Sequence, residues 1–148
     1  MTDTIDLQGK RILFIDDQLD IMRGYCEALE AAKAKVEMTG NLKRALTKLS
    51  SHDKKYDIVI IDLFIPPLPD ELKKTIPVNC LIAQNEGQAL GAWLRKHKKE
   101  TKYCYITTVY GVFQPCFEEG RETEVIDKYE VLPSQLPKKV VDILAMSC

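Results

Sequence analysis

Short apolar runs alternate along this chain with stretches of helical periodicity. The first run, "RILFI" at Arg11–Ile15, has apolar residues at successive positions after the arginine, as expected of a strand covered on both faces. Residues 20–33 follow with Ile21, Tyr25, Ala28, Leu29 and Ala32 at near-helical spacing. "KVEMT", residues 35–39, predicts a second, shorter strand. Asn41 then stands where an N-cap belongs, ahead of a helix whose Leu42, Ala45, Leu46 and Leu49 make one apolar stripe. In "YDIVIIDLF" every position from Ile58 to Ile61 is apolar, which predicts a central strand.

Past this third strand the regularity breaks. Pro66, Pro67, Pro69 and Pro77 rule out a continuous helix, so residues 66–85 read as a long proline-rich insertion, either an ordered loop or partly structured. From Gly87 a helical pattern resumes, with Ala89, Leu90, Trp93 and Leu94 facing inward. "YCYITT" at 103–108 predicts a fourth strand, and residues 109–124, interrupted by Gly111, Pro115 and Gly120, form the least regular part of the chain. "EVIDKYE" predicts a fifth strand, and a closing helix starts at Pro133 or Ser134. Strands and helices in alternation imply a parallel sheet. The expected fold is therefore a flavodoxin-like, doubly wound α/β domain. Its five-stranded parallel sheet has order 2-1-3-4-5, with helices on both faces. It spans residues 1–148, with a core from about residue 10 to 146.

Composition narrows the function classes. The 148 residues are 45% hydrophobic and 29% charged, ordinary for a globular domain able to bury a core. A net charge of −1 gives no global electrostatic case for nucleic acid. The lysine-rich "KHKKETK", residues 96–102, reads as an exposed helix end where positive charge suits the helix dipole. No apolar run is long enough to span a bilayer and the N-terminus lacks a signal-peptide core, so a cytoplasmic location is expected. Cys26, Cys80, Cys104, Cys116 and Cys148 are odd in number and form no C-x-x-C, and His52 and His97 lie far from them. Reduced thiols are expected rather than a disulfide framework or a zinc site.

In open parallel sheets, function collects at the carboxyl ends of the strands. This chain places Asp16 and Asp17 after strand one, Asp62 at the end of strand three, Thr107 and Thr108 after strand four, and Lys128 after strand five. Clustered carboxylates repel, and so either shift a pKa upward or recruit a cation. An all-oxygen ligand set with an open side favours Mg²⁺, which keeps waters and reaches toward phosphate. A carboxylate there can attack phosphorus, with an ammonium and a hydroxyl to meet the charge on the phosphoryl oxygens. Taken singly, each residue also has a plain structural reading: aspartates open helices and lysines sit solvated at edges. Their conjunction at four strand ends is what points to a site.

The chain resembles receiver domains of two-component response regulators. "FIDDQ" (Asp16, Asp17), "VIIDLFIP" (Asp62 to Pro66), "YITTV" (Thr108) and "VIDK" (Lys128) carry the resemblance. "NEGQALGAWLR" adds to it, with Glu86-Gly87 in place of the family's Asp-Gly. The resemblance spans about residues 10–146. It implies that Asp62 accepts a phosphoryl group from a phosphohistidine on a sensor histidine kinase or histidine phosphotransfer protein. It further implies that Asp17 binds Mg²⁺ directly and Asp16 mostly through water, with Asp62 and the backbone carbonyl of Phe64 completing the protein ligands. Lys128 then bridges the phosphate, and the Thr108 hydroxyl swings in to it. With no output domain following, a stand-alone phosphoacceptor switch is expected.

The departures are specific. Val109 replaces a small residue, and Phe64 and Tyr110 are bulky where relatives control water attack, which implies slow hydrolysis of an acyl phosphate. Val125 replaces the aromatic coupled to the threonine, and Tyr129 replaces the proline after the lysine. Val109, Val125 and the lack of a convincing helix between strands four and five favour the alternative of a pseudo-receiver, a phosphorylation-independent protein-interaction module. A flavodoxin function is disfavoured because Asp16 and Asp17 would repel a flavin phosphate. "DDQLD" also lacks the Asp-x-Asp spacing of haloacid-dehalogenase-type phosphatases.

Overall fold

The computed structural model describes residues 5–74, 86–108 and 124–146. Strands β1 (Arg11–Ile15), β2 (Lys35–Thr39), β3 (Ile58–Asp62), β4 (Lys102–Thr107) and β5 (Val125–Asp127) form one parallel sheet in the order β2-β1-β3-β4-β5. Around it lie α1 (Leu19–Ala31), α2 (Leu42–Leu49), α3 (Asp70–Lys73), α4 (Glu86–His97) and α5 (Leu136–Ala145). The expected fold and strand order are those observed.

The two-residue period of a strand divides the core in two. Ile12 and Phe14, Ile58 and Ile60, Cys104 and Ile106, and Ile126 pack under α1 and α5. Leu13 and Ile15, Val59 and Ile61, and Tyr105 pack under α2 and α4. Every residue of β3 is buried, as its unbroken apolar run requires. Asn41 caps α2 by accepting a 2.8 Å hydrogen bond from Arg44 N, and the predicted Leu42, Ala45, Leu46 and Leu49 stripe is buried.

Several boundaries differ from expectation, each for a local reason. Helix α1 ends at Ala31, and Lys33 takes a left-handed φ of 76°, so the chain turns before β2 rather than continuing to residue 33. Its buried stripe is Met22, Tyr25, Cys26 and Leu29, while Ile21, expected inside, is 41% exposed. Strand β5 stops at Asp127 because the Asp127 carboxylate accepts a hydrogen bond from Tyr129 N and folds Lys128–Glu130 into a turn. The closing helix begins with a 3-10 turn at Pro133–Gln135, where Gln135 Oε1 accepts from Leu132 N. Within the proline-rich insertion α3 forms and buries Leu72, and residues 75–85 lie outside the described residues. So do residues 109–123, which hold Val109, Tyr110 and the glycine and proline breaks between β4 and β5. No described helix is long and apolar enough to cross a membrane. Cys26 and Cys104 are free, buried thiols; burial pushes Cys26 up to about 12, so it stays protonated at neutral pH.

Candidate functional site

The strand period also builds the site. One step beyond Phe14, Ile60, Ile106 and Ile126, on the same face of the sheet, come Asp16, Asp62, Thr108 and Lys128. The apolar core under α1 and α5 thus ends in a polar layer at the carboxyl edge. Thr107 has the opposite parity, following Tyr105, and is buried, whereas Thr108 is half-buried just past the strand.

Asp16 is fully buried and Asp62 is 5% exposed, while Asp17 is exposed. One carboxylate oxygen from each lies within 4.8 Å of the others, so this cluster could hold a metal ion. Lys128, its side chain 3% exposed, brings Nζ to 2.6 Å from Asp16 Oδ2 and 3.7 Å from Asp62 Oδ2. Its ammonium also donates to Gln18 Oε1 at 3.1 Å. The remaining oxygens are partly used: Asp16 Oδ1 accepts from Gln18 N at 2.8 Å, and Asp62 Oδ1 accepts from Phe64 N at 3.3 Å.

Electrostatically the layer is short of positive charge. Burial first, then the Asp16 charge, pushes the Asp62 carboxyl up to about 8, and Lys128 and the Phe64 amide only partly oppose this. Asp16 Oδ2, although close to the lysine, has no aligned hydrogen bond. A buried, incompletely satisfied carboxylate oxygen facing two other carboxylates is the donor chemistry a hard divalent cation fits. The exposed Asp17 leaves an approach from solvent.

Two supports hold this layer in place. Gly87, in the first turn of α4, donates its N–H to Leu63 O at 3.0 Å and brings the helix onto the end of β3. The Tyr25 hydroxyl bonds to Lys128 O at 3.1 Å and to Val131 O at 2.6 Å, tying the lysine's loop to α1. The sequence shows Tyr25 only as part of the apolar stripe of α1. The signal that was available is that a buried tyrosine hydroxyl needs a partner. Tyr25→Phe is expected to lower stability by about 1–2 kcal/mol; a urea midpoint equal to that of the wild type would show the tether to be dispensable. Gln18, which touches both Asp16 and Lys128, has no such signal in the sequence.

No protein-family model matches the sequence, and no curated protein matches it. Solved structures do. A CheY-like response regulator receiver domain protein from Methanospirillum hungatei JF-1 is 19% identical with a TM-score of 0.62, over 91% of this chain and 93% of that one. The response regulator TrrA of Thermotoga maritima, in complex with Mg(2+)-BeF, is 22% identical with a TM-score of 0.61, over 90% of this chain and 98% of that one. A chain from the complex of histidine kinase ThkA with TrrA is 23% identical with a TM-score of 0.62, over 92% of this chain and 99% of its own length. The chain therefore has the CheY-like receiver fold of response regulators, over about nine-tenths of its length. Its acidic cluster of Asp16, Asp17 and Asp62 could hold a metal ion.

Proposed function

We propose that the protein is a phosphoacceptor switch of a two-component phosphorelay. In this reading Asp62 takes a phosphoryl group from a phosphohistidine on a sensor histidine kinase or a histidine phosphotransfer protein. The observation that carries it is the convergence of Asp16, Asp17, Asp62 and Lys128 from three strand ends into one polar layer. A ThkA–TrrA complex among the similar structures supports a histidine kinase as the class of donor.

Asp16, Asp17, Asp62 and the Phe64 carbonyl would hold Mg²⁺. The ion would neutralise the carboxylates and the phosphoryl oxygens and bring Asp62 into its ionised form. An Asp62 carboxylate oxygen attacks phosphorus, the P–N bond of the donor breaks, and the imidazole leaves with the electron pair and takes a proton. Lys128, already between Asp16 and Asp62, is placed to meet charge on the transferred oxygens. Thr108, on the same sheet face, supplies a hydroxyl to the phosphate and so couples its presence to the β4 end. Phe64, 48% exposed beside the acceptor, restricts water attack on the acyl phosphate.

The test is intact mass after incubation with Mg²⁺ and acetyl phosphate. The wild type is expected to gain one phosphoryl group; Asp62→Asn, or the wild type with the metal chelated, is expected to gain none. If the folded wild type takes up neither phosphoryl nor beryllofluoride, the fold serves as a phosphorylation-independent interaction module.

A further inference from the structure

The amino edge of the sheet, at the opposite pole from the acidic layer, holds a cavity of about 710 Å³. Lys10, Lys55, Lys96, Lys98 and Lys99 line it, and among the described residues none of these side chains has an ion-pair partner. They come from three separate places in the sequence: the turn before β1, the loop before β3, and the end of α4 with the loop after it. Two further lysines in the wall are already engaged. Lys54 pairs with Glu37 at 2.8 Å, and Lys102 donates to the carbonyls of Ile143 and Leu144 at the end of α5. Two acids also stand in the wall, Glu100 and Asp57, whose Oδ2 accepts from Arg11 N at 2.8 Å, so the five lysines outnumber the nearby counter-charges.

Helix-dipole compensation explains part of this charge. It covers Lys96, in the last turn of α4, because the carbonyl ends of helices gather at this edge. It also reaches Lys98, whose N–H still bonds Leu94 O at the end of α4, but it does not cover Lys10 or Lys55, which belong to no helix, or Lys99, which lies past the helix end. Like charges converging on one concavity repel, and a bound polyanion relieves that repulsion. The cavity's size falls within the roughly 300–1,000 Å³ of small-molecule sites. The cations are lysines, point charges without the planar fork of arginine, which select for charge density rather than for a flat carboxylate. A half-open basic cleft confined to one edge of a chain of net charge −1, rather than an extended basic stripe, suits a compact anion better than a nucleic-acid backbone.

We propose that this cleft binds a small polyphosphate-bearing ligand, at a site separate from the carboxyl-edge layer and independent of its function. The chain carries its own reporter: His97 lines the cleft and packs against Trp93, the sole tryptophan, with ring centroids 5.0 Å apart.

The experiment is titration with tripolyphosphate at low salt and without divalent cations, following Trp93 emission. Excluding metal keeps the acidic pole repulsive to the probe. A saturable change is expected, weakening as salt rises. Lys55→Gln/Lys99→Gln should weaken binding about tenfold or more. Lys73→Gln/Lys138→Gln, which removes two lysines paired elsewhere to Asp70 and Asp142, should leave it unchanged. Three outcomes overturn the proposal: no saturable signal or calorimetric heat, equal weakening in both variants, or binding of a single-stranded oligonucleotide with none of tripolyphosphate. The last would assign the cleft to a longer polyanion. Asp62→Asn should bind as the wild type does, so failure of the phosphoacceptor reading and failure of this one are told apart.

Discussion

Replacing Lys128 with methionine is expected to destabilise the metal-free protein by about 3–5 kcal/mol, the range for removing one partner of a buried ion pair. The ammonium is nearly inaccessible to solvent and stands 2.6 Å from Asp16 and 3.7 Å from Asp62. Without it, two buried carboxyls face each other with the Phe64 and Gln18 amides as their remaining described donors. Asp62, already pushed up to about 8, can escape by holding a proton; Asp16, fully buried and closest to the lysine, loses its nearest partner. That asymmetry sets the control. In an Asp16→Asn background the lysine replacement should cost only about 1 kcal/mol, and the difference between the two backgrounds is their coupling. Urea midpoints in the presence of a chelator measure both. A single variant within about 1 kcal/mol of the wild type would place the pair in the class of screened surface ion pairs and sink the buried-layer account. Where Asp62 accepts a phosphoryl group, the same variant should also slow uptake from acetyl phosphate by about a hundredfold, the scale of losing one aligned charge at a transferred group.

What the sequence made legible, and what it did not, divides along physical lines. Elements whose identity follows from periodicity were readable: the unbroken apolar run of β3, the Asn41-capped stripe of α2, and the order of the sheet. Asp16, Asp62 and Lys128 could be placed at one edge because a parallel sheet puts all its carboxyl ends there, and the structure joins the three. The misreadings arose where a side chain overrides local pattern. Strand β5 looked longer because "EVIDKYE" alternates plausibly, but the Asp127 carboxylate captures Tyr129 N and closes a turn. Ile21 fitted a helical stripe and faces solvent, since the face of α1 is set by where Met22 and Tyr25 meet the core. Long-range hydrogen bonds such as Tyr25 to the lysine's loop, more than 100 residues away, leave no periodic trace. Burial was the other hidden quantity: nothing in "FIDD" says which aspartate is inside, yet Asp16 is fully buried and Asp17 is exposed.

Glycine 87 gives the second large effect, and its sign is the informative part. Helix propensity alone predicts that Gly→Ala in a helix gains about 1 kcal/mol. At Gly87 a Cβ would stand 2.2 Å from the Asp62 carbonyl oxygen, 3.1 Å from the Asp62 carbonyl carbon and 3.0 Å from Ile61 Cγ2. The nearest of these atoms is backbone at the end of a fully buried strand, so it cannot swing aside; α4 must move instead, straining the Gly87 N–H bond to Leu63 O. Gly87→Ala is therefore expected to lose about 3 kcal/mol, the upper part of the usual range for overpacking. Gly24, in α1, is the matched control. A Cβ there meets only Pro133 side-chain carbons, the nearest at 3.6 Å, an ordinary contact. Gly24→Ala should raise stability by about 0.5–1 kcal/mol. Paired urea melts in chelator give both numbers under one condition. Opposite signs would show that contact with the Asp62 peptide, not propensity, dictates glycine at the start of α4. A gain at both positions would mean that the helix sits farther from β3 than described, and that the Asp62 backbone has more room than this geometry allows. Because that peptide carries the candidate acceptor, an α4 displaced by the new methyl should also reduce phosphoryl uptake, whereas Gly24→Ala should leave it intact.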